Sequence, residues 1–161
     1  MPDNQKLQIE TSLKIQKSAH EVFEAIVDPK KISNYFLSKS SGRLEQGKTL
    51  RWRFAEMDLE FPVRVNQVQT DKFISYDWDN FEDRVTTTVG IELKPREENE
   101  TFVTVTEKSR DNDDAGIKWL KDNTGGWANF LACLKAYLEY GINLRKGAID
   151  VSQLPKREVS V

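Results

Sequence analysis

The chain has 161 residues, enough for one domain that buries roughly 70% of its unfolded surface. Hydrophobic residues make up 38% and charged residues 31%, which argues against a disordered chain and against a membrane protein. Net charge is −2 with acids and bases interleaved, so no basic stripe is available to neutralise nucleic-acid phosphates.

The polar stretch Met1 to Lys6 lacks the apolar core of a signal peptide, and no apolar run approaches the ~20 residues of a membrane span. Leu7, Ile9, Leu13 and Ile15 then alternate with polar residues and predict a half-buried strand. Ser18 to Glu21 forms a capping box, followed by Val22, Phe23, Ile26 and Val27 at helical spacing. Asp28 as N-cap and Pro29 at the first helical position start a second short helix, with Ile32, Tyr35 and Phe36 on its apolar face. From Ser40 to Arg110 the pattern is strands alone. A short one is bracketed by Gly42 and Gly47. Leu50, Trp52 and Phe54 form the next. Met57, Leu59, Phe61, Val63 and Val65 follow, with Pro62 expected on an edge or beside a bulge. Ile74, Tyr76 and Trp78 make another face, and a longer one runs from Val85 to Leu93, ending at Pro95. Val103, Val105 and Glu107 carry the last. Consecutive strands on short connections predict an antiparallel meander.

The final element is a helix predicted from about Asp113 to Leu144. Leu120, Trp127, Leu131, Leu134, Leu138 and Ile142 fall on one stripe, with Phe130 at its border. A continuous helix of this length spans about 45 Å at ~1.5 Å per residue. Gly125-Gly126 in its middle predicts either a kink or the close approach of a strand. Residues 1–146 thus read as one domain, and 147–161, containing Pro155, as a flexible tail.

The order strand, two helices, six strands and one long helix is an α+β arrangement. It predicts a curved antiparallel sheet of six to seven strands wrapped on the C-terminal helix, the helix-grip fold. A helix can cover a bent sheet without filling its concave face. Trp52, Phe54, Phe61, Tyr76, Trp78, Trp127 and Phe130 are stiff inward side chains, and with Leu131 and Leu134 they are the candidate lining of an apolar cavity. The alternative is that they simply fill the core.

The segment Ser18 to Pro29 resembles the opening of the START-like (SRPBCC) superfamily. Tyr76-Asp77-Trp78, Gly126-Trp127-Ala128-Asn129-Phe130-Leu131 and Leu134 to Glu139 resemble, more closely, the C-terminal domain of the activator of heat-shock protein 90 ATPase. The likeness runs from about Leu7 to Arg145 and reads as that of a stand-alone relative, without the activator's separate N-terminal domain. It implies the helix-grip fold, binding of lipids, polyketides or other hydrophobic molecules, and a chaperone or stress-response connection.

The chain offers little for catalysis. His20, the only histidine, sits in the first turn of a capped helix, where a cation opposes the helix dipole, and is expected at the surface. Cys133, the single cysteine, cannot form an intrachain disulfide and fits a reducing, cytoplasmic compartment. It has no identifiable activating base. Asp111 to Asp114 is explained by its place at a helix N-terminus. No metal site, cofactor loop or nucleophile elbow is present in the pattern. Thr87 and Glu107 fall on inward registers, and Asn123 and Thr124 project near the helix stripe. A buried Glu107 would need compensation, so the simpler expectation is that its strand ends or bulges first and leaves it in solvent. For Asn123 and Thr124 that expectation is a hydrogen bond to a neighbouring strand.

Three functions follow. The first is non-catalytic binding of a hydrophobic small molecule in the cavity. The second, from the resemblance, is a protein-interaction module linked to a chaperone. The third is a cyclase- or hydrolase-type enzyme using Glu107 or Tyr76 as an acid–base group. The oligomeric state is not legible in the sequence.

Overall fold

Strand and helix periods place their apolar residues on single faces, and the chain stacks those faces together. The computed structural model describes residues 5–150 and Ser152, so most of the expected tail lies outside the described residues. Strands β1 (Leu7–Ile15), β2 (Lys39–Ser40), β3 (Thr49–Arg53), β4 (Glu60–Gln69), β5 (Phe73–Asp79), β6 (Thr86–Glu97) and β7 (Glu100–Arg110) form one antiparallel sheet. Its order is β1-β7-β6-β5-β4-β3-β2, a meander closed by the return of the first strand beside the last. Register shifts at Leu7/Gln8, Val65/Gln67 and Pro95/Glu97 are the bulges that bend such a sheet. The helix-grip expectation holds.

Helices α1 (Ala19–Val27) and α2 (Pro29–Ile32) follow β1 as expected. The Ser18 hydroxyl accepts from the Glu21 N–H, and the Glu21 carboxylate accepts from the Ser18 N–H, completing the capping box. Asp28 ends α1 and caps α2 by accepting from the Lys30 N–H. Just beyond α2, the buried Tyr35 hydroxyl donates to the Ala25 carbonyl at 2.9 Å. Its ring stacks on Tyr137 with centroids 5.3 Å apart, which locks the helical pair to the long helix. Burial first, and then the neighbouring Tyr137 and Cys133, push the Tyr35 phenol well above its usual range.

Helix α3 (Asp114–Tyr140) packs against β1, α1 and β7. Asp113 caps it by accepting from the Gly116 N–H at 2.8 Å. Three expectations are corrected. First, the helix stops at Tyr140, because Gly141 takes a left-handed φ of 67° and Ile142 N–H turns back to the Ala136 carbonyl. Ile142 and Leu144 are therefore half exposed, and the helix is about 40 Å long at ~1.5 Å per residue. Second, helix runs unbroken through Gly125 and Gly126, and a Cβ on either would meet open space, so no strand approaches there. Third, Gly42 to Gly47 is a loop, with Leu44 buried as its anchor, and the short strand lies before it at Lys39–Ser40. Residues 54–59 are likewise loop, so Phe54, Met57 and Leu59 stand beside the sheet rather than in it. Pro62 pairs with Arg51 of β3 before the β4–β5 ladder begins, where its missing N–H costs nothing. Among the described residues no helix is long and apolar enough to cross a membrane.

Candidate functional site

In β7 the inward residues are Val103, Val105 and Glu107, so the alternation continues through the carboxylate instead of stopping before it. Glu107 is 0% exposed and stands in register with Ile9 of β1 and Val89 of β6, in the middle of the sheet. The expectation of a solvent-facing Glu107 is overturned. The reason is a ring of donors that neither strand nor helix periodicity reveals alone.

Five groups donate to this carboxylate. Trp78 Nε1 of β5 reaches Oε2 at 3.0 Å, and Thr87 Oγ1 of β6 reaches it at 2.5 Å. From α3, Trp119 Nε1 lies 3.3 Å from Oε2, Asn123 Nδ2 3.1 Å from Oε1, and Trp127 Nε1 2.8 Å from Oε1. Trp119, Asn123 and Trp127 are spaced by four and so form one ridge of the helix. Every partner donates, which suits the acceptor-only carboxylate form. Among the described residues none of these partners is a cation, so hydrogen bonds alone stabilise the buried charge. Burial and, second, the charge of Glu107 push the neighbouring Tyr76 phenol well above its ordinary range. A phenol held protonated in this way is a poor general base.

Above this floor lies a pocket of about 630 Å³ between the first half of α3, the loop at 54–59 and the β5–β6 loop. Its apolar wall is aromatic: Phe36, Phe54, Trp78, Phe81, Trp119 and Trp127. Trp78 and Trp127 stack with centroids 5.5 Å apart and planes at 29°. The rim is charged and internally paired. Arg110, buried at the end of β7, makes a two-armed pair with Asp83 of the β5–β6 loop and lies 5.9 Å over the Trp119 ring. Lys118 bridges Glu82 and Asp122 at 3.0 and 2.8 Å. Arg145 arrives from beyond α3, bonds both oxygens of Glu56 at 3.0 and 3.1 Å, and lies 4.8 Å over Phe54 and 5.5 Å over Phe36.

All but one of the expected lining and polar residues separate into three groups. Phe54, Trp78, Glu107, Asn123 and Trp127 are at the pocket. Thr87 is buried behind it, holding Glu107. Trp52, Phe61, Tyr76, Phe130, Leu131 and Leu134 are buried in the core beside the pocket, outside its wall. Trp52 touches Tyr76 at 5.1 Å between centroids, and its Nε1 is buried without a partner among the described residues. Thr124 is corrected: it is exposed and its hydroxyl donates to the Leu120 carbonyl of its own helix, a local bond that keeps it off both strand and pocket. Asn123 bonds a strand as expected, though to a side chain. Missed altogether were Phe36, Phe81, Trp119, Arg110, Arg145 and the rim acids. Trp119 had a signal, since Trp119-Asn123-Trp127 repeats every fourth residue. His20 is at the surface, 2.9 Å from Asp71 Oδ1, and Cys133 is buried, which raises its thiol above the usual range.

Residues 16–139 match the family described as Activator of Hsp90 ATPase homolog 1-like protein. A Staphylococcus saprophyticus protein is 35% identical with a TM-score of 0.76, over 86% of this chain and 96% of that one. The Aha1 dimer from Colwellia psychrerythraea gives 22% identity and 0.71, over 84% of this chain and 98% of that one. CalU16 from Micromonospora echinospora gives 16% and 0.67, over 88% and 82% respectively; these last two likenesses are of fold alone. No curated protein matches the chain.

Proposed function

Since this chain belongs to the Activator of Hsp90 ATPase homolog 1-like family, we propose that it binds a hydrophobic small molecule in the pocket beside α3, without catalysis. The observation that carries this reading is the aromatic wall of a pocket of about 630 Å³, a volume within the usual range of small-molecule sites. Rigid rings from the helix, the sheet and three loops keep this space open instead of interdigitating. The carboxylate at its floor is occupied by five donors and fully buried, and Tyr76 is held as a neutral phenol, so neither is free to exchange protons with a ligand. A reducing, cytoplasmic setting accords with the single buried thiol of Cys133.

The test is native purification followed by solvent extraction and mass spectrometry, with binding of a panel of lipids and polycyclic aromatics to the stripped protein. A stoichiometric extracted molecule, or micromolar binding that Trp127→Ala weakens at least tenfold, supports the reading. A clean extract together with no binding across the panel overturns it. Family membership favours a second reading, a chaperone-linked interaction module. Stimulation of an Hsp90 ATPase by the purified chain, with an empty extract, would replace the first reading with the second.

A further inference from the structure

The pocket has a sign as well as a shape. All three indole N–H groups around it are turned onto Glu107, so the wall offers a ligand ring faces and carbon edges with no free indole donor. Ring faces carry the negative end of the aromatic quadrupole and attract cations. Behind them lies the Glu107 charge, with no cation bonded to it among the described residues. At the rim, Glu56, Asp79, Glu82, Asp83 and Asp122 join Glu107 against Arg110, Lys118 and Arg145. Arg64 pairs with Asp79 from outside the pocket, and with it counted the acids still exceed the bases by two. In a partly closed space of low dielectric such an excess is felt more strongly than on an open surface.

One cation of the chain already takes such a position. Arg145 lays its guanidinium over the faces of Phe54 and Phe36 and closes it against the Glu56 carboxylate, at the mouth of the same pocket. Its segment is otherwise loosely attached: it follows the helix-ending Gly141, and the adjacent Ile142 and Leu144 are half exposed. Arg145, a cation, is the one residue among 141–150 that lines the pocket, with its side chain partly buried.

We propose that the pocket selects cationic aromatic amphiphiles: a flat apolar body against the indole and phenyl faces, with an ammonium or guanidinium group at the acidic rim. This rests on the small-molecule reading above and narrows it. Carboxylate-headed lipids are disfavoured, because their head at the rim meets an excess of acids.

The test uses three probes with one body and different charge: 1-pyrenemethylamine, 1-pyrenemethanol and 1-pyrenecarboxylate, titrated by calorimetry into the full chain at low and high salt. The amine is expected to bind about tenfold tighter than the alcohol, the carboxylate about tenfold weaker than it, and the amine's advantage to shrink with salt. The rim variant Glu82→Gln with Asp122→Asn frees Lys118 and should reduce the amine-to-carboxylate ratio about tenfold. Arg145→Met vacates the seat on Phe36 and Phe54 and should strengthen the amine several-fold. Equal binding of all three probes, or a preference for the carboxylate, overturns the charge selectivity while the pocket reading stands. No binding of any probe overturns the cationic-aromatic selectivity, and the pocket reading falls with it only where the extract is clean and the lipid panel fails as well.

Discussion

Alanine at Glu107 would leave three indoles, a hydroxyl and an amide pointing into an unoccupied space. Each stranded donor costs about 1–3 kcal/mol, so Glu107→Ala is expected to lower stability in urea by at least ~3 kcal/mol, even though a buried charge is removed. Glu107→Gln keeps one accepting oxygen but turns an amide group toward donors, and should lose less, about 2 kcal/mol. If the glutamine variant matched the wild type, the five bonds would not be holding the fold. Removing one donor separates the indoles: Trp127→Phe, at 2.8 Å and packed on Trp78, should cost more than Trp119→Phe at 3.3 Å. The inward parity of Thr87 and Glu107 was legible as alternation, since both continue the beat of apolar neighbours. That a carboxylate would keep that beat was not legible. Its compensation comes from residues 20 to 29 positions away in the cases of Trp127, Thr87 and Trp78, and one-dimensional pattern carries no record of such meetings. Thr124 failed for a simpler reason, because a helical threonine can satisfy its hydroxyl on its own backbone.

Within α3 two glycines should respond in opposite directions. A Cβ at Gly125 meets nothing, and the residue is exposed in unbroken helix, so Gly125→Ala is expected to stabilise by about 1 kcal/mol and raise the melting temperature by ~2–4 °C. A Cβ at Gly116 would sit 1.9 Å from the Asp111 carbonyl oxygen, so Gly116→Ala must displace the helix start and should lower the melting temperature by several degrees. Calorimetry on the two variants checks the sign of each. The same helix shows where sequence reading stops. Its start was legible because Asp113 and its neighbours carry capping chemistry. Its end was misplaced because Ile142 continues the apolar stripe, although Gly141 is the residue that breaks the backbone. The two tandem helices were read correctly, since caps are local. The turn at Ala55 and Glu56 was legible, but residues 57–59 of that loop were read as strand because Met57, Leu59 and Phe61 alternate, and alternation alone does not state whether a partner strand is present.

At the scale of the whole molecule, the β5–β6 loop is fastened over the pocket by charge. Burial alone would raise the Asp83 carboxyl, but hydrogen bonds from Arg110 and the Val85 N–H, with the Arg110 charge, outweigh it and hold it below the usual range. Asp79 is held down by the hydrogen bonds from Arg64 and Thr86, and Glu24 by that from Arg43. A carboxyl lowered in the folded state binds its proton less readily there than in the unfolded chain. Its contribution is therefore present above the unfolded value, near pH 4, and is lost as pH falls through the folded one. Melting temperature should thus be flat from about pH 5 to 7 and drop below pH ~4. Asp83→Asn should shallow that drop, and an unchanged acid limb in the variant would show the loop contact to be irrelevant to stability. The curved sheet, the closing helix and the tandem helices were all legible as an order of elements. The charged rim was not, because its partners join loops to helix across the fold.

The gathering of indoles on Glu107 also gives the protein an internal reporter. Of its four tryptophans, three donate to one carboxylate and the fourth, Trp52, keeps a buried N–H without a partner among the described residues. In a proton–nitrogen correlation spectrum the four side-chain resonances should divide three to one, the three displaced downfield by their bonds to the carboxylate. Any event that reaches Glu107 would then move three peaks together and leave the fourth in place.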